Sequence, residues 1–209
     1  MTLAKNYNNK IYNWIADEES ITQKKILDFG CGKGEFSNRF SKNIFAVEID
    51  IAMHKYVHCQ VRSDISDYDE KFDMIFSSNV LEHINNDTQS IEDIYKALTK
   101  NGIVKILVPA RMEIYSNMDK MVGHYRRYSI SDLKRKFEEA GFQVLYCRYF
   151  DFIGYFASFF YKLFINKGVI DERSLILYDK LIFPLSNSID KITFGKIIGK
   201  NIMLKAIKK

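Results

Sequence analysis

The chain has 209 residues, of which 47% are hydrophobic and 27% charged, with only two prolines and ten glycines. This composition excludes a disordered, collagen-like or low-complexity chain, because it holds enough apolar side chains for the core of one ordinary domain. The net charge is +5, and residues 146–209 hold 11 Lys and Arg against 5 Asp and Glu. That asymmetry predicts either an anionic surface or substrate near this end, or a solvated lysine-rich tail.

Three cysteines, Cys31, Cys59 and Cys147, are scattered along the chain. They are too few and odd in number for a disulfide framework, and their spacing does not fit a zinc site, so we expect a reducing compartment. Residues 1–20 lack the continuous apolar run of a signal peptide, and no stretch of about 20 uncharged apolar residues predicts a membrane-spanning helix. The sequence therefore predicts a cytoplasmic location.

Apolar periodicity predicts that strands alternate with helices along most of the chain. Apolar residues at helical spacing predict a first helix over residues 8–19. Short apolar runs bounded by turn residues predict strands at residues 26–29, 44–47, 58–62, 72–77, 103–108, 142–149 and 201–207. Helices are predicted between them at residues 34–41, 51–57, 90–98 and 130–140. This alternation predicts an α/β fold with a mostly parallel sheet and helices on both faces.

Three glycines at alternate positions, Gly30, Gly32 and Gly34, follow the first predicted strand. Without Cβ atoms the backbone can turn sharply there and approach a ligand closely. A dinucleotide site would have its third glycine at position 35, which is Glu35, and a phosphate-binding P-loop would have Ser or Thr at position 34. Both nucleotide sites are therefore disfavoured.

Polar side chains end the next three strands. Glu48 ends the second strand, where a carboxylate suits two ribose hydroxyls. Asp64 follows the third strand and could accept a hydrogen bond from an exocyclic amine. Asn79 lies just past the fourth strand, in the crevice at the carboxyl ends of the strands.

At these residues the chain resembles the class I S-adenosylmethionine-dependent methyltransferases of the type 11 and type 12 kind. The resemblance is carried over roughly residues 20–150 by LDFGCGKGEF (27–36), Glu48, Asp64-Ile65, FDMIFSSNVLEHI (72–84) and LTKNGIVKILVP (98–109). It implies a Rossmann-like seven-stranded, mostly parallel sheet. It also implies S-adenosylmethionine as the cofactor, with S-adenosylhomocysteine as its product.

The resemblance implies a cofactor role for each matching position. Asp28 would orient the amino group, residues 30–34 would line the methionine and ribose, and Glu48 would bind the ribose hydroxyls. Asp64 and Ile65 would flank the adenine, and Asn79 would meet the methionine end. The implied cofactor residues are Asp28, Gly30, Cys31, Gly32, Gly34, Glu48, Ile49, Asp64, Ile65 and Asn79.

Two histidines are candidates for the base that a hydroxyl acceptor needs, since histidine titrates near neutral pH. His83 follows Asn79 by four residues, and its alternative role is to cap the next helix or bond to the backbone. The Glu82-His83 pair is similar to that of quinone-pathway O-methyltransferases, for which a metal has been proposed. Two adjacent side chains are weak support for a metal, so no metal site is predicted.

The second candidate is His124, in the stretch GHYRRYS at residues 123–129. This stretch resembles a His-x-Arg-x-aromatic-Ser pattern of small-molecule and cell-surface-glycan methyltransferases. Tyr125, Arg126 and Arg127 are the predicted substrate-binding residues, because an arginine can hold a carboxylate or phosphate bidentately. The alternative is a solvated basic loop that caps the helix starting at residue 130.

The predicted domain plan has a core at residues 1–149, a helical insertion at 150–192 and a final strand within 193–209. The insertion begins with the aromatic run FDFIGYFASFFYKLFI. Three roles compete for it: a lid over the active site, a homodimer surface, or an element at residues 149–173 that rests on an anionic membrane surface.

The favoured function is methyl transfer to a small-molecule acceptor, a hydroxyl of a sugar or of a lipid-linked glycan intermediate. A quinone-pathway-like O-methyltransferase, an RNA methyltransferase and a binding protein that has lost catalysis are the alternatives. The nucleic-acid alternative is disfavoured, because base-methylating relatives show Asn/Asp-Pro-Pro-aromatic where this chain has Ser77-Ser78-Asn79-Val80, and no RNA-binding module is visible.

Overall fold

The computed structural model describes residues 3–68, 71–168 and 171–209. Seven strands form one sheet: β1 (Ile26–Phe29), β2 (Ile44–Val47), β3 (Gln60–Arg62), β4 (Phe72–Ser78), β5 (Leu98–Pro109), β6 (Phe142–Phe150) and β7 (Asn201–Lys208). The strand order is β3-β2-β1-β4-β5-β7-β6, and only β7 runs antiparallel to its neighbours. The predicted Rossmann-like, mostly parallel seven-stranded sheet is confirmed.

Helices cover both faces of this sheet. They are α1 (Lys5–Ala16), α2 (Ile51–His54), α3 (Asp87–Ala97), α4 (Asn117–Met121), α5 (Ile130–Glu139), α6 (Phe152–Phe164), α7 (Glu172–Leu177) and α8 (Phe183–Thr193), with a π-helical turn at Tyr178–Ile182. Successive side chains of a strand point to opposite faces. In β4, Ile75 packs with α3 and α5, whereas Met74 and Phe76 pack with α1 and Phe183 of α8.

The chain order places a crevice beside β1. From β1 the sheet grows in one direction through β2 and β3 and in the other through β4 and β5, so the connections diverge between β1 and β4. In open α/β sheets, ligands bind at such a switch point, outside the carboxyl ends of the strands. Gly30, Glu48 and Asn79 follow or end these strands and therefore lie at this edge.

The predicted helix at residues 34–41 is wrong, because only a 3-10 turn forms there, at Ser37–Arg39. Asn38 explains the difference: its amide donates to the Tyr56 carbonyl at 2.8 Å and accepts from the His58 amide at 2.7 Å. A side chain that bonds to distant backbone groups competes with regular helix formation. The next predicted helix, at residues 51–57, is also shorter than expected and ends at His54.

The insertion between β6 and β7 consists of α6, α7, the π-helical turn and α8. Within the described ranges, none of the helices is long and apolar enough to cross a membrane. The last strand begins at Asn201, later than the domain plan's boundary at 193, and residues 194–200 connect it to α8.

Candidate active site

The glycine turn after β1 has the backbone that its sequence predicts. Gly30 and Gly32 have φ of +81° and +54°, in the left-handed region that favours glycine. A Cβ at Gly30 would lie 2.3 Å from a methyl carbon of Val80, so only glycine fits between the turn and the residue after Asn79. A Cβ at Gly32 would meet no atom within 4 Å. The space beside Gly32 is therefore open to a ligand.

Glu48 joins this turn from the neighbouring strand. Its Oε2 accepts from the Gly32 amide at 2.7 Å, and its Oε1 accepts from the Asp50 amide at 3.0 Å. The carboxylate consequently lies against the glycine turn. The fold thus brings together two of the residues that the resemblance assigns to the ribose.

Asp28, at the end of β1, is buried, and its Oδ2 has no hydrogen-bond partner among the described residues. Burial raises the pKa of this carboxyl to about 8. A buried polar atom without a partner requires an explanation, and the donor group of a ligand would supply one. An open glycine turn, an adjoining carboxylate and this carboxyl oxygen fit S-adenosylmethionine, which would be held by Asp28, Gly32 and Glu48.

The two residues predicted to flank the adenine differ in how exposed their side chains are. Asp64 is exposed and accepts from the amide and hydroxyl of Ser66 at 2.8 and 2.6 Å, which lowers the pKa of its carboxyl. Ile65 packs into the core, whereas Ile49 is 78% exposed. Ile49 is therefore an apolar side chain available to a ligand at this edge, as is the exposed Ile51.

Cys31 and Asn79 are two further predicted cofactor residues. The Cys31 thiol is buried, and burial raises its pKa, so it acts as a packing group within the turn. Asn79 has a left-handed φ of +56° directly after β4. Asparagine adopts this region more readily than most residues, so Asn79 fits the sharp turn that follows β4.

His124 belongs to a buried ion-pair network with Asp119. The His124 ring donates from Nδ1 to Asp119 Oδ1 at 2.8 Å. Arg127 donates from Nε to Asp119 Oδ1 at 2.8 Å and from Nη2 to Oδ2 at 3.1 Å. Burial alone would raise the pKa of Asp119, but the His124 and Arg127 side chains hold it at about 2. Asp119 is therefore ionised and fixes the orientation of the imidazole.

The predicted substrate-binding residues have different environments. Arg127 is buried and its guanidinium is occupied by Asp119 and the Ala110 carbonyl. Arg126 pairs with Asp87 at 3.0 Å and donates to the Asn85 carbonyl. Tyr125 is exposed. The alternative of a solvated basic loop does not describe the buried Arg127, and the substrate roles of all three residues stay predictions.

Glu82 and His83 lie beside this network. Glu82 is fully buried, and neither carboxyl oxygen has a hydrogen-bond partner within the described part of the chain. Burial raises the pKa of Glu82 to about 8. Its Oε1 is 3.8 Å from His124 Nε2, and the ring centroids of His83 and His124 are 4.5 Å apart. Partial burial and the neighbouring His124 lower the pKa of His83.

The same three side chains could ligate a divalent metal. Glu82, His83 and His124 each bring one ligand atom into a group whose members lie within 4.8 Å of one another. The sequence predicted no metal because only the adjacent pair was visible, and His124 comes from a loop 41 residues away in sequence. Nitrogen and carboxylate donors suit zinc and other transition metals.

A cavity of about 380 Å³ opens beside Asn79, and we call it the acceptor cavity. Its lining includes Asn79, His83, His124, Arg127 and Lys200. This volume is within the range of small-molecule sites. The fold therefore brings both candidate bases and one predicted substrate-binding residue to one cavity next to Asn79, a predicted cofactor residue.

Two residues of this region were absent from the sequence prediction: Asp119 and Lys200. Asp119 had a detectable signal, since Ser116 and Asp119 form a capping box whose spacing is visible in the sequence. No sequence signal pointed to Lys200, because it reaches the cavity only through the chain reversal that inserts the antiparallel strand β7 between β5 and β6.

The comparisons agree with this geometry. A sequence model of the family described as methyltransferase domain matches residues 6–146. The chain therefore belongs to the methyltransferase domain family: it is an enzyme that transfers a methyl group from S-adenosylmethionine. No curated protein matches the sequence.

Solved structures share the fold at low sequence identity. A S-adenosylmethionine-dependent methyltransferase from Archaeoglobus fulgidus is 18% identical, with a TM-score of 0.64, over 98% of this chain and 94% of that chain. A phosphoethanolamine N-methyltransferase 2 from Haemonchus contortus, in complex with S-adenosyl-L-methionine, is 18% identical with a TM-score of 0.63. That match covers 97% of this chain and 52% of the longer one.

Proposed function

We propose that the enzyme methylates a hydroxyl group of a small-molecule acceptor, with His124 as the general base. The observation that carries this proposal is the 2.8 Å contact between His124 and Asp119 at the wall of the acceptor cavity. S-adenosylmethionine, when bound, supplies a methyl group carried on a sulfonium sulfur, and S-adenosylhomocysteine is the leaving group. Such a displacement needs positioning and exclusion of water more than covalent help.

The protein's part is to hold the acceptor and remove its proton. Because the ionised Asp119 accepts the proton of Nδ1, the neutral imidazole carries its lone pair on Nε2. Nε2 takes the hydroxyl proton as the acceptor oxygen gains the methyl group. Asp119 stabilises the resulting imidazolium, and that positive charge favours the ionised form of Glu82 at 3.8 Å.

We extend the proposal to a sugar or lipid-linked glycan intermediate as the acceptor, handled at an anionic membrane surface through residues 149–173. Its support is the aromatic insertion, which contributes walls to the acceptor cavity through Leu175 and Tyr178. The surplus of basic residues over 146–209 supports an anionic surface.

A second candidate, metal-assisted O-methylation as in quinone-pathway enzymes, is favoured by the group formed by Glu82, His83 and His124. A bound divalent ion would lower the pKa of the acceptor hydroxyl and so replace the base.

The test is a screen of hydroxyl acceptors read by release of S-adenosylhomocysteine. We expect His124→Ala to lower kcat by about 10²- to 10⁴-fold with little change in S-adenosylmethionine affinity. Glu48→Ala should instead weaken cofactor binding measured by calorimetry. His58→Ala, an exposed histidine, is the control and should behave as wild type.

Unchanged turnover in His124→Ala would remove this residue as the base. Loss of turnover with EDTA, restored by Mg²⁺ or Zn²⁺, would select the metal-assisted candidate.

A further inference from the structure

A second cavity, also of about 380 Å³, adjoins the acceptor cavity, and we call it the tail cavity. The two share five wall residues: Met118, Arg127, Leu175, Tyr178 and Lys200. Because they share these walls, one elongated molecule could occupy both cavities.

The walls of the two cavities differ in chemistry. The acceptor cavity presents histidine, asparagine and carboxylate side chains beside the cofactor residue Asn79. The walls that α6 and the following residue add to the tail cavity are largely aromatic and aliphatic, with Tyr161, Phe164 and Ile165 among them. An apolar chain would lose contact with water in the tail cavity and gain favourable burial.

Lys200 lies at the junction of the two cavities. Its ammonium makes no hydrogen bond or ion pair with the residues that the structure describes, and burial lowers its pKa. Arg127, the other cation at this junction, is neutralised by Asp119. Asp151 and Asp119 attract Lys200 through space; Oδ1 of Asp151 accepts from Tyr178 and Ser186, whereas its buried Oδ2 has no hydrogen-bond partner among the described residues. Lys200 is half-buried, and a partly desolvated cation without a contact partner suits an anionic ligand group.

We infer that the acceptor is an anionic amphiphile, with an apolar chain in the tail cavity, an anionic head group at Lys200 and the reacting hydroxyl at His124. This inference rests on the proposed function and names the class of its substrate. A lysine is a suitable partner for such a group, because it binds phosphate as a point charge.

The experiment is calorimetry with the full chain saturated with S-adenosylhomocysteine. Three probes are compared. Dodecyl phosphate has both an apolar chain and an anionic group, dodecanol has the chain alone, and inorganic phosphate has the anionic group alone. We expect dodecyl phosphate to bind at least about tenfold more tightly than either of the others, since both contacts contribute.

Variants locate the anion. Lys200→Met should weaken dodecyl phosphate binding about tenfold or more and leave dodecanol unaffected, whereas Lys200→Arg should retain most of the affinity. Lys196→Met, an exposed lysine in the same connecting segment, is the matched control. The affinity for S-adenosylhomocysteine verifies that each variant is folded.

Equal dodecyl phosphate affinity in Lys200→Met would overturn the inference, as would inorganic phosphate binding as tightly as dodecyl phosphate. Both results are separate from failure of the proposed function. That failure would appear as wild-type turnover in His124→Ala.

Discussion

Glu82 has an unusual environment for a carboxyl group. It is 0% exposed, and its oxygens have no hydrogen-bond partner among the described residues. Its pKa in the folded protein is about 8, against an ordinary value of 4.5. The folded state therefore holds this proton more tightly than the unfolded chain does. Its contribution to stability is complete below pH 4.5 and is lost as the pH rises through 8.

Replacing Glu82 by glutamine should remove this pH dependence. We expect the free energy of unfolding of Glu82→Gln, relative to wild type, to rise between pH 5 and pH 8 by up to about 1.4 kcal/mol per pH unit. Urea denaturation at several pH values measures the difference. Glu19→Gln, at an exposed site, should show no such trend. A constant difference between Glu82→Gln and wild type would contradict the assigned environment.

For individual residues, the sequence predicts those that end a strand better than those that come into contact only when the chain folds. Glu48 and Asn79 follow from their positions at strand ends, because parallel strands bring their carboxyl ends to one edge. The approach of His124 to Glu82 depends on how the loop after β5 folds back, which no local pattern encodes. Side-chain partners of a predicted residue, such as Asp119 for Arg127, are likewise set by tertiary packing.

At the scale of secondary-structure elements, the start of α6 and its attachment to the rest of the insertion depend on one buried residue. Asp151 is its N-cap, with φ of +66°, and Oδ1 accepts from the Gly154 amide at 3.1 Å. The same oxygen accepts from the hydroxyls of Tyr178 at 2.5 Å and Ser186 at 2.8 Å. The Asp151 carbonyl accepts from the Lys200 amide. One side chain thus connects α6 to the π-helical turn and to α8.

Asp151→Ala should destabilise the protein by about 3 kcal/mol, because it removes three hydrogen bonds and leaves two hydroxyls without their acceptor. The matched control is Asp171→Ala, since Asp171 is the exposed N-cap of α7 and accepts from the Ser174 amide at 3.0 Å. Water can replace that contact, so the loss should be clearly smaller. Denaturant unfolding compares the two, and similar losses would show that Asp151 does not organise the insertion.

The element scale also shows where periodicity is informative. The strands are set by apolar runs, and all seven form near the predicted residues. The helix expected at 34–41 fails because Asn38 bonds to residues 56 and 58, a long-range contact that overrides local preference.

Over the whole molecule, the insertion leaves a broad apolar surface exposed. Its large exposed side chains are Phe156, Phe159, Phe160, Leu163, Phe164, Ile165, Leu177, Leu181, Ile182, Leu185, Ile192 and Phe194. Exposed apolar side chains in such number are typical of a membrane or protein interaction surface. The proposed contact with a membrane surface would be made by these side chains.

We expect the full chain to float with vesicles of phosphatidylcholine and phosphatidylserine in a density gradient. Phe160→Ser combined with Phe164→Ser should reduce the floated fraction, because both rings are exposed. Leu145→Ser, which changes an exposed apolar residue on β6, is the control. A chain that stays at the bottom of the gradient and forms dimers in solution would show that the surface joins two copies.

The glycine turn approaches Val80, the residue after Asn79, and adds no wall to the acceptor cavity or the tail cavity. We therefore expect the spent nucleoside to be exchanged beside Gly32 without separation of the insertion helices. Donor and acceptor would then be replaced by separate routes, which would suit an enzyme that rests on a lipid layer between turnovers.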